Sequence, residues 1–381
     1  MPVLYQEKDQ CCGCGACGDI CPKGAISMER KDGFLYPMVN VNECVDCGLC
    51  QKVCAFRQQK QTHSNSIHAY AGRIRDDQVR MESSSGGIFT AVSDHVLNEN
   101  GVIYGAAYDE VLRVRHHRAE KSLDRDRMRG SKYVQSDTTG IFRQVKEDLR
   151  QGKRVLFTGT PCQVAALKAF LGRDEEKLLL IDIVCHGVPS PEVWENFVTF
   201  IHEKYGKRPA SYAFRNKQVS WRSYSPKVTF DDGSVVGEND CTGSFIELFR
   251  YDLCLRPSCT ACRYTSMQRE GDLTIGDFWG IEGVLPQMDD GKGVSALLVN
   301  TPKGQAVLER LKDVLELRPC TPEQIARRQP NMSRPSQHST KAAAFSADLR
   351  GMPFGKVLKK YTRVGLKRRL IDGVKKLLRR A

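Results

Sequence analysis

The chain has 381 residues, 40% of them hydrophobic and 27% charged, with sixteen cysteines and a formal net charge of +13. That balance is typical of a soluble globular protein with room for two or three domains. No stretch approaches the roughly 18 apolar residues of a membrane span, and the opening MPVLYQEKDQ holds no apolar run, so neither a span nor a secretory signal is expected. Between Lys356 and Ala381 eleven Lys/Arg face one Asp, which places +10 of the +13 in the last 26 residues. The other 355 residues are near neutral, which argues against a nucleic-acid partner. Sixteen cysteines without an export signal predict metal ligation in a reducing cytoplasm, not disulfides.

Residues 1–57 read as an α+β ferredoxin-like domain. Cys11-x2-Cys14-x2-Cys17-x3-Cys21-Pro22 is followed by Cys44-x2-Cys47-x2-Cys50-x3-Cys54. This is the ligand run of a two-cluster ferredoxin, written twice, in which the fourth Cys of each run serves the other cluster. Cluster one is therefore assigned to Cys11, Cys14, Cys17 and Cys54, and cluster two to Cys44, Cys47, Cys50 and Cys21. Zinc is the competing reading of a CxxC pair, but it uses one or two such pairs, not two matched runs of four. Cys12 breaks the spacing and reads as a bystander.

Residues 58–66 are polar and aperiodic, a linker. From 67 to 330 the pattern predicts an α/β domain with a mainly parallel or mixed sheet. Ile67–Arg73 is a strand candidate. The turn Ser83–Phe89 opens a helix to about Glu99, and a Ser/Gly turn at a helix start suits a phosphate. Gly101–Tyr108 and Val111–His117 form a hairpin, and the turn Gly130–Ser136 precedes a helix over about 137–150. Two strand–turn–helix units follow. Strand 153–158 leads through Gly159–Gln163 into helix 164–171, and strand 177–184 leads through Cys185–Ser190 into helix 191–203. Such alternation predicts a parallel, doubly wound sheet with ligands at the carboxyl edge, where Cys162 and Cys185 lie. A hairpin region at 210–240, a helix at 243–251, a strand at 294–299 and a helix at 302–317 complete the domain. Residues 331–381 are a tail. In it Val357, Tyr361, Val364, Ile371, Val374 and Leu378 recur at helical spacing among Lys and Arg. This basic amphipathic helix suits the anionic inner face of a membrane, or docking on the protein's own body or on an acidic partner.

Eight cysteines remain after the two cubes. Cys259-x2-Cys262 with Cys162 and Cys185 suggests a third [4Fe–4S] cluster. Cys254 is a rival fourth ligand, a zinc half-site is an alternative for the CxxC pair, and small buried hydrophobes are an alternative for all of them.

Six motifs occur in one order: Ser84-Ser85-Gly86-Gly87, Gly130-Ser131-Lys132-Tyr133, Gly159-Thr160-Pro161-Cys162-Gln163, Cys185-His186-Gly187-Val188-Pro189-Ser190, Cys259-x2-Cys262 and Gly276-Asp277-Phe278-Trp279-Gly280. Over about residues 66–330 they resemble the beta subunit of coenzyme F-420-reducing hydrogenase and its dehydrogenase relatives. The stretch after Cys262 is more similar to a bacterial branch tied to polysaccharide biosynthesis than to the methanogen enzymes. The resemblance implies FAD on the α/β domain, at Ser85, Gly86, Gly87, Ser131, Lys132, Tyr133 and Thr160. It also implies a cluster beside it on Cys162, Cys185, Cys259 and Cys262. The expected activity is that of an oxidoreductase moving electrons between a ferredoxin or similar redox protein and an organic hydride substrate, a deazaflavin or a polysaccharide-pathway intermediate. A non-catalytic electron relay is the alternative, and a cluster-bearing sensor or assembly protein is a third reading. His186 is the candidate proton donor because it adjoins Cys185; a hydrogen-bonded turn residue is its other reading.

Overall fold

The computed structural model describes residues 2–57, 68–218 and 220–364. The linker 58–66 and the tail positions Ile371, Val374 and Leu378 lie outside the described residues.

In the N-terminal domain β1 (Ile26–Lys31) and β2 (Phe34–Val39) pair antiparallel. Asp32 and Gly33 close the hairpin at φ 49° and 81°, the double left-handed turn that matches strand twist. Each cysteine run winds into a short helix, Ala16–Ile20 and Leu49–Lys52. Gly15 and Gly48 cap them at φ 74° and 73°, which a β-carbon would strain.

The large domain is built on β3 (His68–Ile74), β4 (Val102–Tyr108), β5 (Val114–Ala119), β6 (Val155–Gly159) and β7 (Leu178–Ile183). A small antiparallel sheet follows, of β8 (Pro209–Ala213), β9 (Lys227–Phe230) and β10 (Val235–Val236). Then come β11 (Leu273–Asp277), β12 (Ser295–Val299) and β13 (Leu315–Cys320). The main sheet runs β13-β3-β12-β11-β7-β6-β4-β5. Its four central strands β4, β6, β7 and β11 are parallel, as the strand–helix alternation predicts. Every strand outside them pairs antiparallel, so the sheet is mixed.

Both faces are covered. Val102, Tyr104, Phe157 and Leu180 meet the helices Ile141–Arg150 and Pro161–Leu171 on one side. Ile103, Leu156, Leu179 and Ile181 meet the helices Ile88–Asn98 and Pro302–Arg310 on the other. This period of two is why these strands read as unbroken apolar runs.

Three expectations are corrected. The helix expected over 302–317 ends at Arg310, and Leu315–Cys320 pairs with β3 instead. The helix expected from 137 begins at Ile141, behind Gly140 at φ 82°. The helix expected from 164 begins at Pro161, because Thr160 and Gln163 form a reciprocal capping box. In the tail, Val357, Leu358 and Tyr361 on the helix Phe354–Tyr361 are buried in one cluster with Trp194 and Phe197. That stretch of the amphipathic pattern packs on the protein's own body. Among the described residues no helix is long and apolar enough to cross a membrane.

Candidate redox site

The cysteine-rich domain is keyed onto the large one. Thr138 Oγ1 donates to the Cys14 carbonyl (2.8 Å), Gln135 Nε2 to the Cys12 carbonyl (3.1 Å) and Tyr264 Oη to the Ala55 carbonyl (2.8 Å). Within it Cys21, Cys44, Cys47 and Cys50 line one small cavity, the grouping assigned to cluster two. The thiol of Cys17 feels those of Cys14, Cys11 and Cys54, the grouping assigned to cluster one, and burial is the chief reason its pKa is raised.

A second cavity collects residues far apart in the chain: Cys162, Cys185, Cys259 and Cys262, with Cys12. Cys162 stands in the first turn of the helix Pro161–Leu171, and Cys185 follows β7 at its carboxyl end. Cys259 belongs to the short helix Pro257–Thr260. The loop that carries Cys262 is anchored by a buried ion pair, Arg269 to Asp182 at 2.8 Å. Asp182 also accepts the backbone N–H groups of Glu270 and Gly271, each at 2.9 Å. Cys254, the rival ligand, lies instead in the apolar core with Trp194 and Phe245. Cys12, which the spacing left as a bystander, lines this cavity as well, and its thiol beside Cys162 draws the Cys162 pKa down. Among the described residues no three His, Cys, Asp or Glu side chains converge on a single-ion position.

The third cavity, of about 430 Å3, opens at the carboxyl edge of the sheet. Of the residues to which the resemblance assigned a flavin, Ser85, Gly87, Ser131, Lys132, Tyr133 and Thr160 line it; Gly86 does not. Gly86 N–H donates to Ser295 Oγ at 2.9 Å, and a β-carbon there would collide with the Gly72 carbonyl oxygen. It lets the turn lie flat on the sheet. The two turns are joined by Ser131 N–H donating to Ser84 Oγ at 2.7 Å. The helix Ile88–Asn98 starts behind Gly87 with no side-chain cap, so its first N–H groups face the cavity end of the helix dipole. Thr90, in that first turn, lines the cavity with its hydroxyl buried and unpartnered. Opposite stand Trp279 and Asp277, whose Oδ2 accepts Arg215 Nη1 at 2.7 Å while its Oδ1 is buried without a partner. Lys132 donates to the Arg127 and Arg129 carbonyls (2.8 and 2.9 Å), and burial followed by the charge of Arg127 lowers its pKa to about 7. The Thr160 hydroxyl is occupied by Gln163 Oε1 (3.1 Å) and Cys162 Sγ (3.2 Å).

Thr160, Cys185, His186, Gly187, Val188 and Asn331 line both the cysteine cavity and the large one. His186 is held at this wall by Asp252 Oδ1 on Nε2 (2.6 Å) and Asn331 Oδ1 on Nδ1 (3.2 Å). Burial works against its charged form, but the hydrogen bond and charge of Asp252 outweigh it and the pKa is raised. Sequence patterns gave no sign of Thr90, Arg215, Asp252 or Asn331. None sits in a spacing motif, and each is brought in by a different element.

Residues 152–323 match the family model for the C terminus of the coenzyme F420 hydrogenase/dehydrogenase beta subunit, and residues 10–57 match a 4Fe-4S dicluster domain. Residues 152–323 thus carry the C-terminal segment of that family of beta subunits. Among its relatives is the F subunit of the F(420)H(2) dehydrogenase of Methanosarcina mazei, 23% identical over 186 residues, which are 46% of this chain and 52% of that relative. An uncharacterized ferredoxin of Methanocaldococcus jannaschii is 43% identical over 56 residues, 15% of this chain and 29% of the ferredoxin. The chain thus spans about half or less of the length of these curated relatives. A chain of the F420-reducing [NiFe] hydrogenase complex from Methanosarcina barkeri aligns over 73% of this chain and 92% of its own, at 18% identity and TM-score 0.48. The segment matched to the F420 hydrogenase/dehydrogenase family supplies β6, β7, β11 and β12, and with them Cys162, Cys185, Cys259 and Cys262.

Proposed function

We propose that the chain is an iron–sulfur flavoprotein oxidoreductase. It carries two clusters in the N-terminal domain, a third on Cys162, Cys185, Cys259 and Cys262, and FAD in the large cavity. Electrons pass between a ferredoxin-like carrier and an organic hydride donor or acceptor. The observation that carries this reading is the wall shared by the two cavities, at Cys185, His186 and Gly187. Clusters move single electrons and hydrides move two; a flavin exchanges both, which is the chemistry it supplies when bound.

The residues present fit such a group. The cavity volume is in the range of cofactor pockets, roughly 300–1,000 Å3. The uncapped start of the helix Ile88–Asn98 and the orphan Thr90 hydroxyl are suited to a phosphate. Trp279 and Tyr133 offer ring surfaces, and Asp277 Oδ1 is a buried acceptor that lacks a donor. Gly187, at φ 154°, keeps the shared wall thin: a β-carbon would stand 3.3 Å from the Cys259 β-carbon. His186 would hold a proton at this wall, with Asp252 stabilising its charged form.

Anaerobic reconstitution followed by iron and flavin analysis tests the proposal. About twelve iron atoms, four per cube, with one flavin per chain are expected. Protein holding iron without flavin ends the flavoprotein reading and leaves an electron relay. Turnover of an added hydride donor by the isolated chain separates enzyme from relay.

A further inference from the structure

Among the described residues five arginines are buried: Arg80, Arg125, Arg215, Arg256 and Arg269. Four have a carboxylate partner: Asp290 for Arg80, Asp94 for Arg125 at 2.6 Å, Asp277 for Arg215 at 2.7 Å and Asp182 for Arg269 at 2.8 Å. Arg256, at 0% exposure, differs. Its nitrogens are spent on neutral acceptors. Nε donates to the Cys11 carbonyl (2.8 Å), Nη2 to the Leu35 carbonyl (2.9 Å) and Nη1 to Gln135 Oε1 (3.0 Å). Its guanidinium lies over the rings of Tyr36 (4.3 Å) and Phe34 (5.4 Å). No carboxylate pairs with it among the described residues.

A buried cation without a counter-charge is strongly unfavourable, and carbonyl dipoles and ring faces compensate it only in part. The groups around it belong to both cysteine sites: its Nε holds the Cys11 carbonyl on the cluster-one side, and on the other it lines the cavity of Cys162, Cys185, Cys259 and Cys262. The residue is held in the frame of the third site, since Arg256 N–H donates to the Val188 carbonyl and Cys259 N–H to the Arg256 carbonyl, both at 2.9 Å. Its side chain reaches across the domain seam to the loop that carries Cys11.

We propose that Arg256 is the shared counter-cation of cluster one and the third cluster, a positioning residue that holds both potentials up and ties them together. The inference rests on the three-cluster reading above. A cube on four thiolates is anionic and becomes more so on reduction, so a fixed cation beside it favours the reduced form. Cluster two lies outside this arrangement and serves as an internal control.

The test is an EPR-monitored redox titration of the full chain, anaerobically reconstituted, with Arg256→Gln, Arg256→Met and Arg256→Lys. In both neutral variants the reduction equilibrium constants of cluster one and the third cluster are expected to fall at least tenfold. Cluster two should not move, and Arg256→Lys should keep most of the wild-type behaviour. Unmoved potentials at full iron content overturn the proposal, as does an equal shift of all three clusters. If neither neutral variant assembles, Gln135→Ala loosens the guanidinium while leaving its charge. The same two potentials must then move together, and their constancy overturns the claim. A wild-type preparation with eight irons refutes the third cluster, not Arg256: the shift at cluster one then decides its role alone.

Discussion

The Asp19 carboxylate, in the cysteine-rich domain, accepts the backbone N–H of Gly140 in the large domain at 2.8 Å, and that of Phe142 at 3.1 Å. One domain therefore caps a helix of the other, Ile141–Arg150, which has no side-chain cap of its own. Asp19 lies at the C-terminal side of Cys17, so the cap also fixes where the first cysteine run meets the large domain. Asp19→Ala is predicted to cost about 1–2 kcal/mol, the upper range for a lost N-cap, measured by denaturant unfolding of the anaerobic protein. It should also slow electron passage from the N-terminal clusters. A variant with wild-type stability and wild-type internal electron transfer would contradict the cap's role.

The crossed ligand sets make opposite predictions for two similar cysteines. Cys54→Ser should disturb the cluster held by Cys11, Cys14 and Cys17, and Cys21→Ser the one held by Cys44, Cys47 and Cys50. EPR of the two variants should therefore lose different signals. If Cys21→Ser perturbs the same cluster as Cys14→Ser, the sets are uncrossed.

Thr90→Val removes an unpartnered buried hydroxyl without changing its shape. Unliganded protein should be no less stable, since no internal hydrogen bond is lost. Flavin affinity should fall about tenfold, equivalent to about 1.4 kcal/mol for one hydrogen bond to a charged group. Equal flavin retention in the two proteins would place the phosphates elsewhere.

His116 predicts a pH response. It is 4% exposed, with its Nε2 at 2.9 Å from the Thr158 carbonyl and its ring stacked on Phe157. Burial lowers its pKa to about 4. The unfolded chain, with an ordinary imidazole, binds the proton more readily, so stability rises with pH between about 4 and 6.5 and is lost as the pH falls through that window. The shift corresponds to about 3 kcal/mol at most. His116→Gln should flatten the profile over that range. An unchanged acid limb would mean that another group carries it.

Much of the N-terminal domain was legible because its ligands are local. Three of the four thiolates of each cube fall within seven residues, so their spacing alone signals the chemistry, and Gly15 and Gly48 mark the turns. The central strands were legible for a related reason: Leu178–Ile181 is buried on both faces and reads as an unbroken apolar run. The end of the sheet was not. Leu311, Val314 and Leu317 prolong the helical spacing of Pro302–Arg310, yet Leu315–Cys320 finds open edge hydrogen bonds on β3. A partner strand more than two hundred residues away overrides the local period.

The sequence by itself determined which cysteines have the spacing of cluster ligands and roughly where the sheet lies, because metal spacing and apolar periodicity are written along the chain. Only the tertiary structure decided that Cys162, Cys185, Cys259 and Cys262 surround one cavity, that Cys12 joins them, and that this cavity shares a wall with a larger one. It also decided that Arg256 is buried with no acid beside it among the described residues. Those facts depend on which loops the sheet edge and the domain seam bring together, and proximity across a fold leaves no period in the chain.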